Sequence, residues 1–205
     1  MARKTKEDAE RTRKDLVVAA RQVFHECGVS RSTLEKIAKA AGVTRGAVYW
    51  HFKDKAELFF AMREDVFAPV ILRTDAFLYS PDYANPLDAI EASLVEFFSV
   101  LENDVTVREV FEVMISRCEY VDEFASVQEE VSRPALHFLE KMEGVYRLAA
   151  EKGMLRTAVS PEAAARDTWA FTSGILHLMF GVRRSSGLER LIPEMIRAHM
   201  AMRRP

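Results

Sequence analysis

Residues Thr33–Lys55 read TLEKIAKAAGVTRGAVYWHFKDK, and this stretch decides the fold. Leu34, Ile37, Ala38 and Ala41 recur at helical intervals, which predicts a short helix that buries them on one face. Ser32 stands where a cap belongs, with Glu35 three residues on to complete a capping box. Gly42 and Val43 make a tight turn, Thr44 caps a third helix ending near Phe52, and Asp54 with Glu57 repeats the capping box for a fourth. Two short helices joined by a sharp turn are the parts of a helix-turn-helix, whose second helix enters the major groove while the first braces it on the DNA backbone. Ile37, Ala38, Val48 and Phe52 would form the small shared core, with Val43 plugging the gap between the helices.

Upstream, Leu16, Ala20, Val23, Phe24 and Cys27 share one helical face, and Gly28 ends that helix. The face left open on the third helix carries Thr44, Arg45, Gly46 and Tyr49, the first two near base edges and Gly46 allowing close approach of DNA. His51, Lys53 and Lys55 flank it with groups suited to phosphate, and Lys55 opens the fourth helix, whose free N–H groups also favour an anion. Phe52 reads as packed interior; Trp50 fits either packing or DNA, and Arg3, Lys4 and Lys6 read as a solvated charged terminus.

Downstream, the fourth helix carries Leu58, Phe59, Met62, Val66 and Val70, with Pro69 expected to bend or interrupt it. The turn-rich run from Tyr79 to Pro86 is a linker. Five further helices are predicted at roughly 87–102, 105–117, 122–152, 161–182 and 188–202, with breaks at Asn103-Asp104, Cys118 to Val121, Gly153 and Ser185 to Gly187. No segment alternates as a strand does, so the fold class is all-α: a three-helix DNA-binding head plus a larger helical bundle, about nine helices in total. The predicted domains are 1–56, the helix-turn-helix, and 57–205, the remainder.

The formal net charge of −2 conceals a division. Residues 1–55 hold 13 Lys and Arg against 7 Asp and Glu, whereas residues 56–205 hold 16 against 24. A basic head suits nucleic acid, since Lys and Arg displace counterions from phosphates. The acidic remainder disfavours a non-specific DNA-coating protein. No apolar run approaches the length of a membrane span, so no membrane association and a cytoplasmic location are expected. Two cysteines, Cys27 and Cys118, form no CxxC pair and read as free thiols. The five histidines, 25, 51, 137, 177 and 199, have no metal-ligand spacing, and no GxSxG, GxGxxG or phosphate loop occurs; no cofactor, metal or catalytic residue is expected, and a helical enzyme is the disfavoured alternative.

Thr33-Leu-Glu-Lys-Ile-Ala followed by Gly42-Val-Thr-Arg-Gly-Ala-Val-Tyr-Trp-His-Phe-Lys-Asp-Lys resembles the signature of the TetR family of repressors. The likeness extends back through Phe24 and Val29 to cover about the first 60 residues. The opening Arg3-Lys4-Thr5-Lys6-Glu7 and the Cys118-Glu119-Tyr120 segment are similar to the multidrug-efflux branch of AcrR and TtgR type. This resemblance implies a ligand-responsive repressor of an efflux operon that binds operator DNA as a homodimer. Its DNA contacts fall on Thr33, Thr44, Arg45, Gly46, Tyr49, His51 and Lys55.

By the same resemblance, helices beyond the linker enclose an apolar effector cavity. Its matching positions are Val66 and Val70; Ser93, Leu94 and Phe97; Phe111, Ile115 and Cys118; Ala135, Phe138 and Met142; and Trp169, Thr172, Ser173 and Leu176. Bulky Phe111 and Ile115 stand where that branch often has polar side chains, implying a smaller or drier pocket. His177 is expected to be hydrogen-bonded at an interface or in the core rather than to donate to a ligand. Gly174 and Gly181, with the stripe Leu188, Leu191, Ile192, Met195 and Ile196, predict dimerisation through the last two helices. A ligand would then shift the population away from the DNA-competent form, with the fourth helix as lever and Pro69 as hinge. A sensor of an acyl-CoA or another metabolic intermediate is the alternative regulator; no basic cluster for its phosphates is evident.

Overall fold

The computed structural model of the chain describes residues 6–120, 124–181 and 187–205, without the side chains of 125, 126, 128, 129, 131, 132 and 135. Arg3, Lys4 and Ser185 lie outside the described residues, and Ala135 lies in a helix with its side chain outside them. The helices are α1 Lys6–Cys27, α2 Leu34–Ala40, α3 Arg45–His51, α4 Lys55–Leu78, α5 Pro86–Asn103, α6 Val105–Glu112, α7 Ala125–Glu151, α8 Pro161–Phe180 and α9 Leu188–Ala201. A π-helical turn, Val113–Arg117, follows α6 directly. The described residues contain no strand, and no helix among them is long and apolar enough to cross a membrane.

Packing groups the chain into two compact units: Met1–Phe67 with Thr106–Val127, and Ala68–Val105 with Gln128–Pro205. In the first, Leu16, Ala20 and Phe24 of α1 are fully buried with Ile37, Val48, Phe52, Leu58 and Phe59, the core expected from helical spacing. Phe59 tilts against Phe24 and meets Phe124 edge-on, at centroid separations of 6.0 and 5.6 Å. Gly28, at φ 78°, ends α1, and the Val29 N–H then donates to the carbonyl of Arg117 at 2.9 Å. Arg21 pairs with Glu109 and His25 with Glu112, each at 3.2 Å, so α6 and its π turn are tied along α1. Burial opposes ionisation of Glu112, but hydrogen bonds from Arg117 and His25 hold its carboxyl below the usual range.

One cap differs from the sequence expectation. Ser32 does not cap α2: its hydroxyl is buried and donates to the Val29 carbonyl at 2.6 Å, which closes the turn after Gly28. Thr33 takes the role, accepting from the Lys36 N–H at 3.2 Å. α4 also runs unbroken through Pro69, which is exposed, so water can solvate the backbone carbonyl that loses its helical partner.

In the second unit, Asn85 caps α5 ahead of Pro86 and Ser160 caps α8 ahead of Pro161, both with proline at the first helical position. α9 packs on α5 and α8. At its centre lies a buried polar chain: the Tyr146 hydroxyl hydrogen-bonds Thr168 Oγ1 at 2.7 Å, Thr168 Oγ1 meets His199 Nε2 at 3.1 Å, and Arg203 reaches the same imidazole nitrogen at 3.2 Å. Arg203 also pairs with Asp167, and Arg204 bridges Asp88 and Glu91 of α5 at 2.7 and 3.0 Å. The predicted apolar stripe of α9 divides: Ile192 and Ile196 are buried within the protomer, whereas Leu191 stays 52% exposed. Gly174, His177 and Leu178 of α8 and Gly181 at its C-terminal cap are exposed too, and His177 keeps its ring on the Ser173 carbonyl at 2.8 Å.

Candidate nucleic-acid interface and effector site

α3 is presented by its caps. Thr44 Oγ1 accepts from the Ala47 N–H at 3.3 Å, and Phe52, buried at the far end, anchors the helix to the core with Val48. Asp54 accepts from the Glu57 N–H at 2.8 Å and Glu57 from the Lys53 N–H at 2.7 Å, which fixes the corner into α4. Between these anchors one face stays open: Thr33, Thr44, Arg45, Gly46 and Tyr49 are all exposed. A Cβ on Gly46 would meet nothing nearer than Thr44 Oγ1 at 3.9 Å, so the surface in front of it is clear for another molecule's backbone. Trp50 is 72% exposed with its ring edge-on to His51 at 4.5 Å, which places it on the surface rather than in the core. Arg45 is held from two sides, by Glu35 at 2.8 Å and by the Tyr49 hydroxyl at 3.2 Å.

Lys55, expected at phosphate, is engaged within the head in this structure. Its ammonium donates to the carbonyls of Val29 and Ser32, at 3.1 and 3.4 Å, and lies 5.3 Å from the Phe124 ring centroid. The long side chain therefore turns inward and braces the α1–α2 corner, adding a donor to the Val29 carbonyl, which Ser32 already engages, and one to the Ser32 carbonyl. Sequence spacing could not show this, since the partners lie more than twenty residues away.

The residues expected around an effector divide between the two units. Val66, Phe111, Ile115 and Cys118 belong to the first, where Phe111 stacks on Phe67 at 4.8 Å and burial pushes the Cys118 thiol up to about 11. Val70, Ser93, Leu94, Phe97, Phe138, Met142, Trp169, Thr172, Ser173 and Leu176 belong to the second. There Phe138 and Trp169 face each other at 5.9 Å, and both are half-buried. Two hydroxyls expected to orient a ligand are engaged instead with helix carbonyls, Ser93 with Thr74 at 3.1 Å and Thr172 with Thr168 at 2.8 Å. The second unit also contains a cavity of about 530 Å³ that the sequence did not signal, lined by Tyr79, Tyr83, Pro86, Gly144, Val145 and Leu148 among others. Its lysines are committed, Lys141 to Asp75 at 2.5 Å and Lys152 to the Ala84 carbonyl at 3.4 Å, which leaves a mainly apolar surface.

Comparison with known proteins agrees with this arrangement. Residues 16–62 match the description "Bacterial regulatory proteins, tetR family", and residues 85–204 match "MAATS-type transcriptional repressor, C-terminal region". The chain belongs to the TetR family. It is 36% identical over 178 residues to the HTH-type transcriptional repressor BepR of Brucella suis biovar 1, covering 85% of this chain and 83% of that protein. It is 32% identical to the regulator TtgR of Pseudomonas putida, over 86% of this chain and 83% of that one. Among solved structures it is similar to NalD, the secondary repressor of the MexAB-OprM multidrug efflux pump in Pseudomonas aeruginosa. That likeness has a TM-score of 0.86 and 31% identity, over 97% of this chain and 98% of NalD. A complex of SmeT with triclosan matches at a TM-score of 0.80 and 31% identity, over 95% and 92% of the two chains. This TetR-family protein is thus a transcriptional repressor by descent, from a family of regulators rather than enzymes.

Proposed function

We propose that this protein represses a multidrug efflux operon and leaves its operator when a small hydrophobic or aromatic compound binds. The observation that carries the DNA-reading half is the open α3 face, where Thr44, Arg45, Gly46 and Tyr49 are exposed on a helix capped at one end and anchored by Phe52 at the other. Thr33 and His51 flank that face, and Lys55 acts through the corner it braces. Residues 1–56 would read DNA, and residues 57–205 would bind effector and dimerise. The efflux assignment draws on relatives such as NalD, and the aromatic effector class on SmeT with triclosan.

Exposed Gly174 and Leu178 on α8, Gly181 at its end and Leu191 on α9 support a homodimer through these helices. Two-fold symmetry would then set two copies of α3 on the half-sites of a near-palindromic operator in the cytoplasm. An effector that binds one spacing of the heads more tightly shifts the population from the other, and α4, with Pro69 two residues past the boundary between units, is the segment of chain through which that shift would pass.

The test measures binding to duplex from upstream of the protein's own gene and of neighbouring efflux genes, with excess random DNA and an Arg45→Ala, Tyr49→Ala variant beside wild type. Specific binding lost in the variant and released by triclosan is the expected result; equal binding by the variant would overturn the assignment of α3. The 530 Å³ cavity favours a second location for the effector, and Gly144→Phe separates the two. Gly144 lines that cavity and a Cβ there meets nothing within 4 Å, so a larger side chain has room to begin from this position. Loss of release in Gly144→Phe alone selects the cavity, and loss in Trp169→Ala alone selects the Phe138 and Trp169 site.

A further inference from the structure

The carboxylate of Glu35, on α2, is held at 2.8 Å from Arg45 Nη1 on α3, while Arg45 Nη2 donates to the Tyr49 hydroxyl at 3.2 Å and the guanidinium lies 5.3 Å from the Tyr49 ring centroid. Glu35 is itself fixed. Its own backbone N–H, then Arg45 and the Thr33 hydroxyl, hold its carboxyl below the usual range against slight desolvation. Thr33 also caps α2. An unbroken polar chain therefore runs Thr33, Glu35, Arg45, Tyr49 across the two helices of the reading unit, and its two ends and third member are residues already placed at DNA.

We infer that Glu35 is the positioning residue for Arg45, and through it a determinant of operator specificity. This rests on the reading of α3 as the DNA-contacting helix. A free arginine carries a large store of rotamers and must lose them when it meets a base. Arg45 has lost part of that freedom beforehand, because Glu35 and Tyr49 grip one nitrogen each. Each gripped nitrogen keeps a second hydrogen, and a guanidinium with two hydrogens still available can meet the N7 and O6 acceptors of guanine.

The same pairing acts against wrong DNA. A guanidinium neutralised by a neighbouring carboxylate is a poor counter-ion for phosphate, and the carboxylate repels the phosphates beside it. Glu35 thus withholds Arg45 from sequence-independent binding while presenting it for base contact. Both groups are solvent-exposed, so the pair contributes little to the fold and its effect is read in DNA discrimination.

The experiment selects a preferred site for wild-type protein from a random duplex pool. It then compares that site with a scrambled duplex by fluorescence anisotropy across a salt series for wild type, Glu35→Gln, Arg45→Ala and the double variant. Circular dichroism melts confirm that all four fold. We expect Glu35→Gln to lower the ratio of selected to scrambled affinity about fivefold, the upper range for an exposed ion pair. It should also steepen the salt dependence on scrambled DNA by about 0.9 in log–log slope, as one more cation reaches phosphate. In the Arg45→Ala background the same change should leave the ratio unaltered. Equal shifts on both duplexes, or an undiminished loss of ratio without Arg45, would overturn the inference. Enrichment of no sequence by wild type would instead overturn the DNA-reading assignment beneath it.

Discussion

Thr168→Val tests the buried chain that joins α7, α8 and α9. Thr168 is fully buried, and its hydroxyl is the middle link, 2.7 Å from the Tyr146 hydroxyl and 3.1 Å from His199 Nε2. Valine keeps the shape and removes only that link. His199 retains Arg203 at 3.2 Å and the Tyr146 oxygen keeps the Arg203 guanidinium as a donor, but the Tyr146 O–H proton is left with Met200 Sδ at 3.6 Å, a weak acceptor. Stranding a buried hydroxyl costs about 2 kcal/mol, within the usual range for an unsatisfied buried group. For a chain of this size that lowers Tm by roughly 4–8 °C. Tyr146→Phe leaves Thr168 with His199 and should cost only about 1 kcal/mol. The double variant strands nothing further, so its cost should fall well short of the sum of the two singles. Thermal melts at one fixed protomer concentration read all three, since dimerisation would make Tm concentration-dependent. A Thr168→Val protein as stable as wild type, or strictly additive losses, would refute the reasoning.

Three further outcomes are expected. Burial lowers the pKa of His199 beneath its ordinary 6.5, so the folded ring stays neutral where the unfolded one takes up a proton. Its contribution to stability is therefore complete above pH 6.5 and is lost as pH falls towards the folded value, at no more than about 1.4 kcal/mol per pH unit, and urea melts of His199→Gln should lack that slope. Lys55→Met removes a donor from the Ser32 carbonyl and one of several from the Val29 carbonyl and should cost about 1 kcal/mol in melts, while the log–log salt slope on operator DNA changes by less than the roughly 0.9 of one phosphate contact. The Cys118 thiol, pushed up to about 11, should be alkylated by iodoacetamide at pH 8 about a hundredfold more slowly than in the denatured chain; equal rates would contradict its burial.

The fold was legible because its signals are local. Caps at Thr44 and Asp54, the turn at Gly42 and apolar spacing in α1, α2 and α4 each involve residues a few positions apart, and all reappear in the structure. The structure differs from local expectation where a side chain had a competing partner. Ser32 had the right chemistry to cap α2, but the Val29 carbonyl took its hydroxyl. Lys55 had the right charge for phosphate, but in this structure its ammonium reaches the carbonyls of Val29 and Ser32, more than twenty residues upstream. His199 read only as a histidine without metal spacing, since Tyr146 and Thr168, which bury it in a polar chain, stand 53 and 31 positions upstream. Nor did spacing separate Ile192 and Ile196, packed inside the protomer, from Leu191, left open beside them.

The charge count of the head shows the same limit with a consequence for function. Thirteen Lys and Arg in the first 55 residues suggest strong, indiscriminate attraction to DNA. Several of them already have other work. Arg11 faces Asp8, Arg21 faces Glu109, and Arg45 faces Glu35. Arg31 and Lys36 bond the carbonyls of Cys27 and Arg31, and Lys55 those of Val29 and Ser32. Arg13 lies 5.1 Å from the Phe52 ring centroid. A cation paired with a carboxylate releases fewer counterions than a free one, and one tied to a carbonyl is held away from phosphate, so the salt dependence of binding should fall short of what the bare count implies. Discrimination between operator and bulk DNA then falls to the few side chains of the open α3 face, and a head with part of its charge committed within its own structure suits a protein that must leave most of the genome and stay on one site.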